Sequence, residues 1–239
     1  MAAPTWFLSF DPATVTFAFS LSRIDVAGCV AAVPDLRASI AAARAALAAR
    51  DAAAAAAAVA AADAATRGLI VLADGAVADL SGGVADDDIP MVRRLQAVAR
   101  YVEERVRPAV RRALESHLGE TLQVVVEYQM GANDKTRAVA AALVTLFAAE
   151  DVIIVGPSLK NRVAIGEDGR YCYFAQRYAK AYSANKAHAR HNFARFEAAF
   201  GSQIPPTPTA ALRGHIADSF LQVVGHLAFG RKSGAELMF

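Results

Sequence analysis

The sequence predicts an α/β fold, a mixed five-stranded sheet flanked by helices, and three observations carry that expectation. Two runs rich in aromatic and β-branched residues, "WFLSFD" and "TVTFAFSLSRI", stand near the start, separated by "PA". They read as an antiparallel hairpin. A third run, "GLIVLADGAVADL", has strand composition as well. Beyond it, segments of helical spacing alternate with the short apolar runs "VVVE" and "DVIIVGPS". The order β-β-β-α-β-α-β-α calls for a mixed sheet with helices on both faces.

At 239 residues the chain can bury one full-sized core, so residues 1–239 are expected to form a single domain. In the first strand Asp11 stands at the end, before Pro12. Residues 26–33 leave room for a short third strand piece. Residues 35–67 form a low-complexity block in which alanine, the best helix former, dominates. From Arg37 onward its only larger apolar side chains are Ile40, Leu47 and Val59, so the block reads as a helical surface insertion. Asp86, Asp87 and Asp88 precede Ile89 and Pro90, a helix start by macrodipole and N1 proline. Ile89, Val92, Leu95, Val98, Val102 and Val106 keep helical spacing, and Pro108 should kink or split that helix. "VVVE" follows as a strand, then a helix from about Lys135 to Ala149, then "DVIIVGPS" as a buried strand. Gly166 to Tyr173 suit a hairpin, and residues 175–200 a polar helix. "PPTPT" forces a linker before a last helix from about Ala210 to Phe229, with Ile216, Phe220, Val223 and Leu227 on its core stripe.

Composition narrows the classes. Hydrophobic residues make up 55%, but alanine supplies much of this, and no stretch has the length and Leu/Ile/Val/Phe density of a transmembrane helix. The apolar start has no basic n-region and carries Asp11, so it reads as strand-turn-strand rather than a signal peptide. Cys29 and Cys172 are isolated, which favours buried free thiols over a disulfide or zinc site and an intracellular location. The formal charge is +2, yet residues 157–200 hold eight Lys/Arg against three acids. That asymmetry fits a face toward a polyanion, or simply a solvated helix face.

The candidate chemistry lies in acids that such a fold gathers. Asp11 ends the first strand, Glu127 ends the fourth, and His215 and Asp218 share one helix face at i, i+3. Taken singly, Asp11 is equally a turn residue, and His215 and Asp218 ordinary first-turn residues. Together they offer the carboxylate-rich cluster that phosphodiester hydrolysis needs, where two divalent ions about 3.5–4 Å apart flank the reacting phosphate. Carboxylate oxygens suit Mg²⁺ or Mn²⁺.

An antiparallel meander followed by alternating units is the ribonuclease H-like arrangement. "FLSFD", "VVVEYQMGANDKTRAVAAALVTLF", "VIIVGPSLKNRV", "YSANKAHARHNF" and "HIADSFLQ" resemble the poxvirus-type Holliday junction resolvases of large DNA viruses, RuvC-like nucleases of the ribonuclease H superfamily. The resemblance spans most of the chain except about residues 35–67 and the C-terminal tail. It implies a Mg²⁺-dependent endonuclease, with Mn²⁺ as substitute, that resolves four-way DNA junctions in recombination or replication and leaves nicked duplexes with 5′-phosphates. Asp11, Glu127 and Asp218 match the family's metal-binding acids, with His215 as the fourth member. Gln129, Asn133, Lys135, Lys160, Asn161, Lys186, His188 and Arg190 would face DNA. A two-fold homodimer is implied, because two opposing strands must be cut. A location in host cytoplasm or nucleus follows. Two departures stand out. The turn after the first acid, Asp11-Pro12-Ala13-Thr14, lacks the family's glycine, and His215 replaces the usual Asp, as in some bacterial RuvC proteins. The alternatives are a nuclease of the same fold acting on other branched DNA or hybrids, and a junction-binding protein that no longer cuts.

Overall fold

The computed structural model describes residues 4–13, 15–128, 134–157, 159–160, 181–200, 204 and 209–227. Its centre is a mixed five-stranded sheet of β1 (Thr5–Pro12), β2 (Thr16–Ile24), β3 (Ile70–Asp79), β4 (Thr121–Glu127) and β5 (Asp151–Val155). The strand order is β3-β2-β1-β4-β5. β1, β2 and β3 form an antiparallel meander, while β4 runs parallel to β1 and β5 parallel to β4.

The period-2 alternation of strand side chains sorts this sheet into two apolar faces. Trp6, Leu8, Phe10, Phe17, Phe19, Leu21, Val124 and Val126 point to one of them. There they meet α3 (Met91–Tyr101), α4 (Arg107–Glu115) and α5 (Asp134–Leu146), through residues such as Val98, Val110 and Leu143. Phe7, Ile24, Ile70, Leu72 and Val125 point to the other. That face is covered by the start of α1 (Val26–Ala48), by α6 (Ala181–Phe200) and by α7 (Ala210–Gly225). α2 (Ala52–Thr66) packs beside α1 and touches α6.

Several sequence expectations change here. Residues 26–33 are helix, not strand. Asp25 caps α1 by accepting from the Gly28 N–H at 2.8 Å, and its own N–H donates to Leu69 O at 2.8 Å. A capping side chain satisfies one of the unpaired N–H groups of the first turn, enough to start a helix upstream of Pro34. The alanine block is therefore the outer part of a helical hairpin running from Val26 to Thr66. Pro90 stands at the N-cap of α3 rather than at N1. Before Pro108 a π-turn at Val102–Val106 interrupts the α-helical bonding while the backbone stays helical into α4, since proline removes an intrahelical donor and crowds the carbonyl four residues back. Val92 is exposed, whereas Arg94 is wholly buried and bonds both the side chain and the carbonyl of Asp86. β5 is an edge strand, with Ile154 57% exposed, not a fully buried one. The expected hairpin at Gly166 to Tyr173 and residues 228–229 of the last helix lie outside the described residues.

α7 is buried on nearly every side, not along one stripe. Gly214 and every residue from Ile216 to Gly225 are buried. The sheet accommodates it with small residues: Ser9, Ala18 and Ser20 lie beneath it, and a Cβ on Gly75 would come within 3.1 Å of Ile216 Cγ2. α6 closes the outside, with the Phe193 and Phe220 rings 5.8 Å apart edge to face and Arg213 paired with Glu197. Cys29 is a buried free thiol, as expected, and Cys172 lies outside the described residues. No helix among the described residues is long and apolar enough to cross a membrane.

Candidate active site

Asp11 and Glu127 reach the same end of the sheet on neighbouring parallel strands. The β1–β4 register pairs Ser9 with Val125 and Phe10 with Val126, so Asp11 and Glu127 come next in step. Because Phe7 and Val125 face α7, alternation sends both acids toward that helix as well. Their side chains are 4% and 1% exposed as residues, and Asp218 on α7 is 1% exposed. Three carboxylates from β1, β4 and α7 are thus drawn out of water on one face. Burying an ionised group is costly unless it is paired and hydrogen-bonded, so the partners define the site.

The imidazole of His215 lies between two partners. Its Nδ1 is 2.9 Å from Asp11 Oδ2, and its Nε2 is 3.1 Å from Thr16 Oγ1 at the start of β2. A carboxylate only accepts, so Nδ1 carries the proton in this arrangement, and in the neutral ring Nε2 accepts from the Thr16 hydroxyl. Glu127 Oε2 accepts from Lys160 Nζ at 2.9 Å and from the Gln222 amide nitrogen. Lys160 Nζ is also 3.5 Å from Asp218 Oδ2, and Lys186 Nζ on α6 pairs with the same Asp218 oxygen.

These contacts separate the acids electrostatically. Burial opposes the Asp11 charge, but the His215 hydrogen bond and the charges of Lys160, Lys186 and His215 outweigh it and lower its pKa. Burial dominates at Glu127, and the negative charges of Asp11 and Asp218 add to it, so its pKa rises despite Lys160. Lys160 is held firmly protonated: burial works against its charge, but Asp218, Glu127 and Asp11 together overcome it.

No protein-family model, no curated protein and no solved structure matches this chain.

The structure brings together Asp11, Glu127, His215 and Asp218, the four expected to carry the chemistry. It adds Thr16 and Gln222, which the sequence reading did not single out. Gln222 follows His215 and Asp218 at i+7 and i+4, so one helix face held the signal; Thr16 had no comparable sign. The expected DNA-facing residues divide. Lys160 and Lys186 enter the acid cluster itself. Lys135 is tied to Asp86 and Asp87, with Asp87 Oδ1 at 2.7 Å, at the start of α5. Arg190 lies on α6 one turn beyond Lys186 and is exposed. Gln129, Asn133 and Asn161 lie outside the described residues, and the His188 side chain is likewise not described.

The donor chemistry fits a hard divalent cation: three buried carboxylates and an imidazole converge. The Gln222 Oε1 atom is buried and has no hydrogen-bond partner among the described residues. Yet among the described residues no group of three or more His, Cys, Asp and Glu side chains is gathered closely enough to hold a metal ion. In this arrangement the positive charge inside the cluster comes from two lysines.

Proposed function

We propose that the chain is a Mg²⁺-dependent, structure-selective endonuclease of ribonuclease H-like fold that cleaves four-way DNA junctions. The observation that carries the proposal is the convergence of Asp11, Glu127, His215 and Asp218, from β1, β4 and α7, on one face at one end of the sheet. The antiparallel meander β1–β3, with β4 and β5 parallel to β1, supports the fold reading.

Asp11, Glu127, Asp218 and His215 would hold the metal, which when bound supplies a Lewis acid for water activation and for the leaving oxygen. The chain's own groups prepare the site. Asp11 and Thr16 hold the imidazole ring at its two nitrogens, so it stands in one orientation, and the Thr16 contact is the one that would open to free Nε2 for an ion. Gln222 fixes the Glu127 carboxylate from the α7 side. Arg190, exposed on α6 one turn beyond Lys186, gives that helix positive charge for phosphate contacts, which supply most nucleic-acid affinity. Selectivity for a four-way junction would then come from two such surfaces in a homodimer.

The test is cleavage of a four-way junction, a flap and a linear duplex with and without Mg²⁺. Magnesium-dependent cutting of the junction in preference to the others is expected. Preference for flaps or hybrids would keep the fold chemistry and change the substrate. Junction binding without cutting would favour a non-cleaving binder.

A further inference from the structure

We propose that Lys160 is a tethered cation that holds a divalent-metal position in the metal-free protein and is exchanged for the ion when metal binds. The inference rests on the nuclease reading above for the metal's purpose, and it concerns how that site is kept intact before loading.

The geometry begins with the ammonium group. Lys160 Nζ bridges two carboxylates supplied by different elements, 2.9 Å from Glu127 Oε2 on β4 and 3.5 Å from Asp218 Oδ2 on α7. Its side chain is only 13% exposed. Buried like charges at this spacing repel strongly, and a cation between them is what lets both remain ionised. Lys186 approaches Asp218 from α6 and neutralises a second charge. The cluster is therefore close to electrically balanced by lysines alone.

Two further observations indicate that the balance is provisional. Gln222 donates its amide nitrogen to the same Glu127 oxygen that Lys160 contacts, while its Oε1 is buried without a hydrogen-bond partner among the described residues. A buried acceptor left unmatched is costly. An ion with several oxygen positions to fill has a use for that acceptor, and an ammonium already directed at two carboxylates does not. The acids and the lysine also differ in their supports. Asp11 and Glu127 lie on paired strands and Asp218 on a buried helix, whereas Lys160 lies beyond β5, outside the sheet. Leu159, the residue before it, packs against the α7 side of the core, and a Cβ on Gly225 would be 2.8 Å from Leu159 O. The carboxylates sit on short side chains of fixed elements, whereas a lysine carries its ammonium on a flexible four-carbon stem that can swing it away. Two cations competing for one position bind with negative coupling, commonly 5- to 150-fold.

The experiment measures Mn²⁺ binding by loss of the free-ion electron paramagnetic resonance signal, for the full chain and for Lys160→Met, which keeps the apolar stem and removes the charge. Lys160→Met is expected to bind Mn²⁺ roughly tenfold more tightly than the parent. Affinity equal to or weaker than the parent's overturns the proposal. A second measurement uses the unaltered chain and so does not depend on the variant folding: brief acetylation of lysines, read by peptide mass spectrometry. Lys160 modification should rise several-fold when Mn²⁺ is added, relative to Lys135; an unchanged or lowered rate also overturns the exchange. Neither readout involves DNA. If both behave as stated while no branched DNA is cut, the exchange stands and the nuclease reading falls; if junctions are cut and neither readout moves, the reverse holds.

Discussion

Asp11 and Glu127 occupy adjacent strands, yet their surroundings push them in opposite directions, and this has a measurable consequence. Burial raises the Glu127 pKa, so the folded chain prefers its neutral form. Its stabilising contribution is present below the unfolded value and is lost as pH rises through the raised one, so at neutral pH the ionised side chain opposes folding. Asp11 is the reverse. With its pKa lowered by His215 and the nearby lysines, its contribution is present above the ordinary value of 3.8 and is lost only as pH falls through the lowered one. In chelator at neutral pH, Glu127→Gln should therefore raise the melting temperature and Asp11→Asn should lower it, the latter losing a charged hydrogen bond of the kind that contributes about 1.5–3 kcal/mol. Both variants should lose cleavage by orders of magnitude. Shifts of the same sign in scanning calorimetry would refute this assignment of the two environments. Cys29 gives a simpler case. Burial first, then Asp25, pushes its thiol from 9.0 up to about 12. The fold thus favours the neutral thiol, and stability should decline between these two pH values as the unfolded chain alone ionises. In a Cys172→Ser background, iodoacetamide should leave Cys29 unmodified at pH 8 until denaturant is added; rapid labelling of the native chain would show the site is open.

Among the elements, the pairing of α7 with the loop after β5 sets the site most directly. Gly225 admits the Leu159 backbone so closely that a Cβ there would be 2.8 Å from Leu159 O and 3.2 Å from Leu159 Cγ. Backbone cannot swing aside as a flexible side-chain end would, so Gly225→Val should cost about 1–3 kcal/mol of stability as overpacking. It should also displace Lys160 from Glu127 and Asp218. Chemical denaturation, with Lys160 acetylation as a local readout, checks both; an unchanged Lys160 rate would mean the contact does not position the loop. The same elements explain what the sequence made legible. Strand ends bearing Asp11 and Glu127, and the i, i+3 pair His215 and Asp218, were readable because alternation and helical spacing are local properties. The start of α1 was not, since the Asp25 cap precedes small residues and Pro34 that resemble a break. The charge of Lys160 and Lys186 is visible in the sequence, but the buried acids they meet, 32 or more residues away, are not. Thr16 joins His215 across 199 residues, a pairing that no local pattern encodes.

At the scale of the molecule, the sheet and its two faces are complete without the outer part of the alanine-rich hairpin. Val26 and Cys29, which join the α7 face, lie in the first turns of α1. Beyond them, among the residues whose side chains are described, the buried ones of the hairpin are Ala43, Ala46 and Ala55, and α1 and α2 pack against each other. An alanine contributes little more than one methyl, on the order of 0.8 kcal/mol when buried, and contacts within the hairpin are removed together with it. Since α1 and α2 pack beside one another as a hairpin, a short Gly/Ser loop is used to rejoin the backbone at residues 37 and 66. Deleting Ala38 to Ala65 should then change stability by about 1 kcal/mol, which for a chain of this size is a melting shift of roughly 2–4 °C. Junction cleavage should persist, because none of Asp11, Thr16, Glu127, Lys160, Lys186, His215, Asp218 and Gln222 lies in the deleted stretch. A connection at risk is the contact of α2 with α6, the helix that brings Lys186 to Asp218. If the shortened chain melts far lower, or folds but loses cleavage, the hairpin is a brace for α6 and not a dispensable insertion; calorimetry and the junction assay on the same preparation decide between the two.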